Sequence, residues 1–219
     1  MKYSIIYLIL ALLFDACVKE ECQIAGGLYV FEIPATLVPA EDTFAIGDTI
    51  TITSSFCDEV FERKTGKKYK LKNLKFYPGT YIYKIDTNNV GNDGLKFFNI
   101  ILDTIYNYNL YQYSSGSIGL FGQYNYFNNI YKLEYKLIPS VKGSFLLNQG
   151  SSLLLDKNQT FEGKCSNINI DGFVKLNEGA ENNIHMLLDS PDPHYRDWIM
   201  QKPEERFHKF GGYCFYVKE

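Results

Sequence analysis

Hydrophobic and polar positions alternate with a period of two along most of the chain, which is the pattern of half-buried β-strands. The segment 46–52 shows it most clearly, because its isoleucines fall on one face while Thr49 and Thr51 fall on the other. A first strand is predicted at Tyr29–Ile33 and is expected to end at Pro34. The same pattern predicts further strands at Thr80–Ile85, Lys96–Leu102, Ile118–Phe121, Ile130–Leu137, Phe145–Leu147, Leu153–Leu155, Ile168–Leu176, Met186–Leu188 and Tyr213–Val217.

Turn-forming dipeptides such as Pro78-Gly79 and Asp171-Gly172 separate these segments. Many short strands at this spacing predict an all-β fold, an antiparallel β-sandwich of immunoglobulin-like or jelly-roll-like type. Two short helices are expected near residues 193–208. The first is Pro193–Met200 with Asp192 as its N-cap, and the second is Pro203–His208. Residues 26–219 are expected to form a single β-rich domain.

The N-terminal segment has the pattern of a signal peptide over residues 1–16. Lys2 supplies a positive charge, and the apolar run Ser4–Phe14 that follows is shorter than the ~20 residues that span a bilayer. Ala16 stands directly before Cys17, an arrangement that resembles the lipobox of bacterial lipoproteins. The resemblance implies removal of the signal before Cys17, attachment of lipid to its sulfur, and a tether over residues 17–25. An ordinary secretory signal cut near Ala16 or Ala25 is the alternative.

Two further resemblances concern location. The segment Val18-Lys19-Glu20-Glu21 resembles the export signal that sends Bacteroidota lipoproteins to the outer face of the outer membrane. The segment Asp42–Ile50 resembles small Bacteroidota lipoproteins that open with a Tyr/Phe-Glu-Ile-Pro strand and enter an immunoglobulin-like first sheet. These resemblances imply a lipid-anchored protein of the bacterial outer membrane, with the cell surface as one possible side. They imply no activity.

The charge of the chain limits the classes of partner, and its cysteine count limits the possible disulfides. The net charge of the 219-residue chain is -3, with basic residues scattered among acidic ones, which argues against a nucleic-acid partner. The same charge balance gives no reason to expect electrostatic binding to a membrane, so membrane attachment is expected through the lipid alone. After Cys17 the chain holds Cys22, Cys57, Cys165 and Cys214, an even count that permits two disulfides in three connectivities in an exported protein. The strand-like surroundings of Cys214 suit a buried thiol equally well.

Tyrosine is unusually frequent, with 18 residues against one tryptophan. Several tyrosines lie two apart and would share a strand face, where they could form a platform for sugar rings or a partner protein. Ordinary cross-strand pairing within a sheet is the competing interpretation. The stretch 106–131 also holds Asn, Gly and Ser, a mixture typical of adaptable recognition surfaces. The candidate binding residues are Tyr106, Tyr108, Tyr111, Tyr113, Tyr124 and Tyr126.

All three histidines, His185, His194 and His208, lie close together in sequence among several acidic residues. They are candidate metal ligands, but they lack the helical spacing of zinc-binding motifs, and the Asp189–Pro193 segment is typical of a turn and helix start. No cofactor is predicted. Motifs for nucleophilic catalysis and phosphate binding are also absent from the sequence.

The favoured function is therefore a non-enzymatic, membrane-anchored lipoprotein that binds a glycan, a peptide or a partner protein. An extracellular hydrolase that uses acids and histidines near 185–208 is one alternative. A structural assembly subunit, whose strand edge pairs with a neighbour, is the other.

Overall fold

The computed structural model describes residues 27–88, 91, 93–152, 159–166 and 168–219. The signal peptide 1–16, the tether 17–25 with Cys17 and Cys22, and the predicted strand Leu153–Leu155 lie outside the described residues. Within the described part, no helix is long and apolar enough to cross a membrane.

Two packed β-sheets build the fold, as the alternating pattern predicts. Sheet 1 contains β1 (Leu28–Val38), β3 (Ile50–Cys57), β4 (Glu59–Glu62), β5 (Lys67–Lys70), β7 (Phe98–Leu102), β10 (Asn125–Phe127), β11 (Ile130–Pro139) and β13 (Asn169–Leu176). Sheet 2 contains β2 (Thr43–Ala45), β6 (Tyr77–Lys84), β8 (Tyr108–Gln112), β9 (Ile118–Gly122), β12 (Gly143–Ser152) and β14 (Gly212–Lys218). Short 3₁₀ segments occur at Gly94–Phe97, Asn177–Gly179 and Ile184–Asp189, and π-helical turns at His194–Ile199 and Glu204–His208.

Strand pairing is mainly antiparallel, so the prediction of an antiparallel β-sandwich is confirmed. Sheet 2 has the order β2-β14-β12-β6-β9-β8, and β14 therefore lies between β2 and β12. Two pairs run parallel, β1 with β13 and β2 with β14. The predicted C-terminal strand Tyr213–Val217 is thus an integral part of a sheet.

The main core lies between the sheets because each strand turns its apolar face inward. Ile33 of sheet 1 and Phe145 and Phe215 of sheet 2 have no exposed surface. Phe215 also contacts Phe44 and Phe98 edge to face, at centroid distances of 5.4 and 6.1 Å. Aromatic residues therefore fill much of the space between the sheets.

A second apolar cluster lies on the outer face of sheet 2. The helical turns between β13 and β14 fold back over this face and pack Leu187, Ile199 and Phe207 against Leu146 and Cys214. Both faces of sheet 2 are therefore covered in this region. This second layer creates one wall of the candidate site.

The predicted end of the first strand at Pro34 was wrong. β1 continues through Pro34 to Val38: Leu28–Ala35 pair with β13, and Thr36–Val38 pair with β3. Pro34 is paired with Lys175 of β13, and its carbonyl oxygen accepts a hydrogen bond from the Ser54 hydroxyl of β3, so one residue without an N–H does not end the strand.

The segment 46–52 is not one strand. β2 ends at Ala45 in sheet 2 and β3 begins at Ile50 in sheet 1, so the intervening residues carry the chain between the sheets. Gly47 has a φ of +93° in this turn, and the Asp48 carboxylate accepts the Ala45 N–H at 2.7 Å. A left-handed glycine beside a turn-forming aspartate therefore overrides the alternation of isoleucines.

Two further predictions concern segments that are helical in the structure. Met186–Leu188 lies in the 3₁₀ segment Ile184–Asp189, so the predicted strand was wrong, since a three-residue apolar run does not distinguish a strand from a helical turn. The two helices near 193–208 are confirmed as π-helical turns. The Asp192 carboxylate accepts the His194 N–H at 2.8 Å, as expected of a capping residue.

Candidate binding cleft

A cleft of about 910 Å³ opens on the outer face of sheet 2, between the strands and the helical turns. Alternation along β6 places Thr80 and Ile82 in the main core, with no exposed surface, and turns Tyr77, Tyr81 and Tyr83 outward into the cleft. The sequence thus folds so that one face of β6 holds the sandwich together and the other presents a row of tyrosines.

Glycines form the middle of the cleft floor. Gly79 of β6 and Gly150 of β12 are directly paired, and both line the cleft. Gly172 of β13 also lines it, and a Cβ there would lie 2.7 Å from the Ser151 carbonyl oxygen. The cleft is deep at this point because the glycines have no side chains to fill it and because β13 lies close to β12.

One wall is a continuous series of aromatic contacts on sheet 2. The Phe121 ring lies 5.2 Å from Tyr81 and 5.9 Å from Tyr111, and Tyr81 lies 6.3 Å from Tyr83. We call Tyr81, Tyr83, Tyr111 and Phe121 the aromatic row. These rings expose apolar surface and hydroxyl groups together, which suits a ligand that is itself amphipathic.

The opposite wall comes from the π-helical turns. Tyr195 lies 6.2 Å from Tyr83 and so joins the two walls. The Trp198 ring stacks on His194 at 4.8 Å, and the Arg206 guanidinium lies 4.0 Å from the centre of the Trp198 ring. Trp198 remains 46% exposed despite these contacts. The only tryptophan of the sequence is therefore held at the rim of the cleft.

Buried polar atoms without hydrogen bonds concentrate around the cleft. In the described part of the chain, such atoms belong to Asn148, Gln149, Ser151 and Tyr195. All of these residues except Gln149 line the cleft. The Asn148 side chain interacts with the Tyr83 hydroxyl, but its Oδ1 has no hydrogen bond of normal length. Native proteins leave few buried polar groups unpaired, so this concentration makes the cleft a candidate site for a polar ligand.

Burial raises the pKa of two cleft tyrosines. For the Tyr83 phenol the causes of the raised pKa are burial and then the neighbouring Tyr81. For Tyr195 the causes of the raised pKa are burial and then Tyr83 and Asp192. Both hydroxyls are neutral at physiological pH, as an ordinary phenol is, and are able to donate a hydrogen bond as well as accept one.

The charged residues of the cleft differ in whether they form ion pairs. Lys209 Nζ lies 2.6 Å from Asp171 Oδ2, and both residues of this ion pair line the cleft. Arg206 donates a hydrogen bond to the Trp198 carbonyl oxygen. Among the described residues, no carboxylate lies within ion-pair distance of Arg206.

The six candidate tyrosines are divided by the structure. Tyr106, Tyr108 and Tyr124 are buried in the main core, where the Tyr108 hydroxyl lies 2.6 Å from Thr80 Oγ1. These three tyrosines therefore pack inside the fold and do not form a binding surface. Tyr126 lies half-buried on β10 of sheet 1, and its hydroxyl donates a hydrogen bond to the Asp58 carboxylate.

Tyr111 and Tyr113 are about half exposed at β8 and the turn after it. Tyr111 lines the cleft, and Tyr113 supports it through contact with Phe121 at 6.1 Å. Sequence reasoning missed Tyr195 and Trp198 as cleft residues. Their signal was weak, since one tryptophan in a short helical turn has no spacing pattern to analyse.

The three histidines do not converge. His185 is exposed on the 3₁₀ segment, His194 stacks on Trp198 in the cleft, and His208 lines a separate depression beside Arg63. Within the described residues, no group of three or more His, Cys, Asp or Glu side chains could hold a metal ion.

The candidate disulfide cysteines also differ in state. Cys57 is an exposed free thiol at the end of β3, and Cys214 is a buried free thiol in the second apolar cluster. Neither of these two candidates is disulfide-bonded in this structure, and Cys214 takes the alternative that its strand-like surroundings allowed, a buried thiol enclosed by apolar side chains. Cys165 is disulfide-bonded, and its Sγ accepts a hydrogen bond from the Tyr29 hydroxyl at 3.3 Å.

No protein-family model matches the sequence, and a search of curated proteins finds no match. Among solved structures, the chain is similar to the human F-spondin reeler domain, at 10% identity and a TM-score of 0.34, over 60% of this chain and 84% of that one. It is also similar to a type II cohesin domain of the Acetivibrio cellulolyticus cellulosome, at 8% identity and a TM-score of 0.28, over 60% and 78%. A non-cellulosomal cohesin of Archaeoglobus fulgidus gives 10% identity and a TM-score of 0.24, over 72% and 96%. Similarity at this level carries no conclusion about function.

Proposed function

We propose that this chain is a lipid-anchored protein of the bacterial cell envelope that binds a glycan in the cleft on sheet 2. The anchor is supported by the lipobox-like Ala16-Cys17 and its preceding apolar run. The binding role is supported by the cleft. Its location on the outer face of the sandwich leaves the main core untouched, so a ligand could enter without any rearrangement of the sheets.

A glycan fits the chemistry of the lining. Sugar rings present C–H groups on their faces and hydroxyls on their edges, and the aromatic row offers flat apolar surface with phenol hydroxyls beside it. The amide side chains of Asn107, Gln123 and Asn148 add donors and acceptors in the same cleft. A mostly apolar cleft with a few convergent polar groups is typical of small-ligand sites.

The observation that carries the proposal is the concentration of unpartnered buried atoms at Asn148, Ser151 and Tyr195 beside the aromatic row. An unpaired buried polar group costs roughly 1–3 kcal/mol, so three of them in one cleft reduce stability measurably unless a partner is bound. Ligand hydroxyls, which both donate and accept, would satisfy all three.

Binding is favoured over hydrolysis by the carboxylates of the cleft. Among the described lining residues, Asp171 is the only carboxylate, and it is held by Lys209. Glycoside hydrolysis ordinarily needs two carboxyl groups about 5–9 Å apart. The lining therefore supports recognition without cleavage.

The test is an oligosaccharide array probed with the full chain, kept in a detergent that has no sugar headgroup. Tyr111→Ala should weaken binding roughly two- to tenfold, since an aromatic contact contributes about 0.5–1.5 kcal/mol. Tyr216→Ala is the matched control, because Tyr216 is similarly exposed (41% against 50%) on the same sheet but outside the cleft. Failure to bind any oligosaccharide, or equal loss in both variants, would contradict the proposal.

A further inference from the structure

Arg206 is a cation of the cleft that, among the described residues, has no carboxylate within ion-pair distance. Lys209, one turn later, is paired with Asp171. The acidic neighbours of Arg206 are engaged elsewhere: Glu204 pairs with Arg63 at 2.6 Å, and Glu205 pairs with Lys202 at 3.3 Å. Within the part of the chain that the structure describes, the cleft therefore keeps one positive charge without an ion-pair partner, although the whole chain has a net charge of -3.

The position of the guanidinium is determined by two contacts. Its centre lies 4.0 Å from the middle of the Trp198 ring, and Nη1 donates to the Trp198 carbonyl oxygen. Trp198 is itself stacked on His194. A guanidinium carries five N–H donors, and among the described residues only the Trp198 carbonyl oxygen accepts a hydrogen bond from Arg206, so the remaining donors are available to a ligand. Stacking also reduces the conformational freedom that binding would otherwise remove.

The rest of the cleft shows no such charge. Tyr111, Phe121, Asn107 and Gln123 of the lining are uncharged. The cleft therefore combines neutral aromatic and amide groups from the sheet with an available guanidinium from the helical turns. A ligand that matches both has neutral rings and an anionic group.

We propose that the glycan bound in this cleft is acidic, with a sugar oxyanion, a uronic carboxylate or a sulfate ester, held by the Arg206 guanidinium. This inference rests on the proposed function, since it names the class of glycan. The planar fork of arginine matches such oxyanions through two parallel hydrogen bonds. The neutral part of the same oligosaccharide lies along the aromatic row.

The experiment compares uronic-acid oligosaccharides with their methyl esters, which remove the charge and keep the sugar. Oligomers of galacturonic, mannuronic and glucuronic acid, a sulfated oligosaccharide and neutral oligosaccharides are titrated calorimetrically into the full chain. We expect an acidic member to bind at least tenfold more tightly than its uncharged counterpart, and added salt to reduce the difference. Tighter binding of the sulfated member alone would assign the oxyanion to sulfate.

Two variants assign the preference to this residue. Arg206→Gln should abolish the preference for the acidic ligand over its methyl ester. Arg206→Lys, which keeps the charge but not the fork, should retain part of it. Arg196→Gln is the matched control, because Arg196 lies on the preceding helical turn and pairs with Asp197 outside the cleft. Melting temperatures of all variants check that each is folded.

The outcomes separate the two proposals. Equal affinity for acidic and uncharged members, or an unchanged acidic preference in Arg206→Gln, would overturn the acidic assignment while glycan binding stands. Absence of binding to every member, charged or neutral, would overturn both.

Discussion

Gly79 and Gly150 face each other across neighbouring strands of sheet 2, and together they form the middle of the cleft floor. They differ in the space around them. A Cβ at Gly79 would lie 3.1 Å from the Phe121 ring, whereas a Cβ at Gly150 would have its nearest neighbours at 3.7 Å, the Gly79 carbonyl oxygen, and 3.9 Å, the Phe210 ring. Gly150 is thus the position at which the cleft can be filled without displacing the sheet.

Gly150→Leu should abolish ligand binding and leave the fold intact. The leucine side chain would occupy the floor between the aromatic row and Phe210, while its Cβ makes only ordinary contacts. Stability should not fall, because glycine within a strand is itself unfavourable by roughly 0.5–1 kcal/mol. Calorimetric titration with the ligand from the array, together with a thermal melt, measures both quantities.

Two controls belong to this variant. Gly150→Ala adds only the Cβ and should reduce affinity much less than leucine does. Ser144→Leu places the same side chain on the same face of β12 but outside the cleft, opposite Tyr216, and should bind as the unmodified chain does. Full affinity in Gly150→Leu would show that the ligand binds elsewhere.

Glu62→Gln should destabilise the domain at neutral pH and remove part of its sensitivity to acid. The Glu62 carboxylate is completely buried and accepts the N–H groups of Val30, Lys64 and Thr65 at 2.6–3.1 Å. Burial raises its pKa, but these backbone hydrogen bonds lower it more, so the folded-state pKa lies below the ordinary value of 4.5. A glutamine offers one acceptor oxygen in place of two, and an unpaired buried N–H costs roughly 1–3 kcal/mol.

The sign of the pH effect follows from that depressed pKa. The unfolded chain binds the proton more tightly than the folded one, so the contribution of Glu62 is complete above about pH 4.5 and is lost as the pH falls through the folded-state pKa. Denaturant unfolding between pH 7 and 3 should show a shallower decline for Glu62→Gln than for the unmodified chain. Glu59→Gln, at an exposed position of the same strand, should leave the decline unchanged.

Phe215→Ala should lower the free energy of unfolding by about 3–5 kcal/mol, the usual cost of truncating a buried phenylalanine. The ring has no exposed surface and contacts Phe44, Phe98 and Phe145. Deletion of Gly212–Glu219 removes the strand between β2 and β12 and should leave the chain unfolded. Thermal and denaturant melts measure these effects, with the exposed neighbour Tyr216→Ala as control. Melting of Phe215→Ala within a degree or two of the unmodified chain would contradict the central role of this strand.

Cys17→Ser should abolish membrane attachment and leave the β-domain folded. Cys17 precedes the described residues, and after it the sequence offers no apolar stretch of membrane-spanning length. An acyl chain contributes ~0.8 kcal/mol per buried CH₂, so loss of lipidation removes the expected membrane affinity. Metabolic labelling with a fatty acid and membrane fractionation test this in cells. Equal labelling of both chains would contradict lipidation at this residue.

Alternation along the strands was enough to predict the fold class and the C-terminal strand. Tyr213, Phe215 and Val217 alternate with Cys214 and Tyr216, and the sheet uses that alternation directly. Met186–Leu188 was predicted wrongly because a short apolar run has no period of its own. Strand existence is a local property of the sequence, whereas strand boundaries depend on partners that the sequence does not name, as at Pro34.

The sequence allowed only a few residues of the cleft to be predicted. The pair Tyr81 and Tyr83 was visible as two tyrosines on one strand face, and Tyr111 as part of a tyrosine-rich stretch. Nothing local distinguished these from Tyr108 or Tyr124, which the fold buries in the core. Spacing along a strand says which residues share a face, but not whether that face meets the other sheet or solvent.

The sequence by itself therefore determined the β-rich character of the chain, the alternating faces of its strands and the lipobox-like segment at its start. Each of these depends on residues that are neighbours in the chain. Only the tertiary structure decided that Tyr83, Tyr195 and Arg206 belong to one cleft, because the helical turns fold back over sheet 2 and bring together residues more than a hundred positions apart. Long-range packing, not local pattern, creates the site.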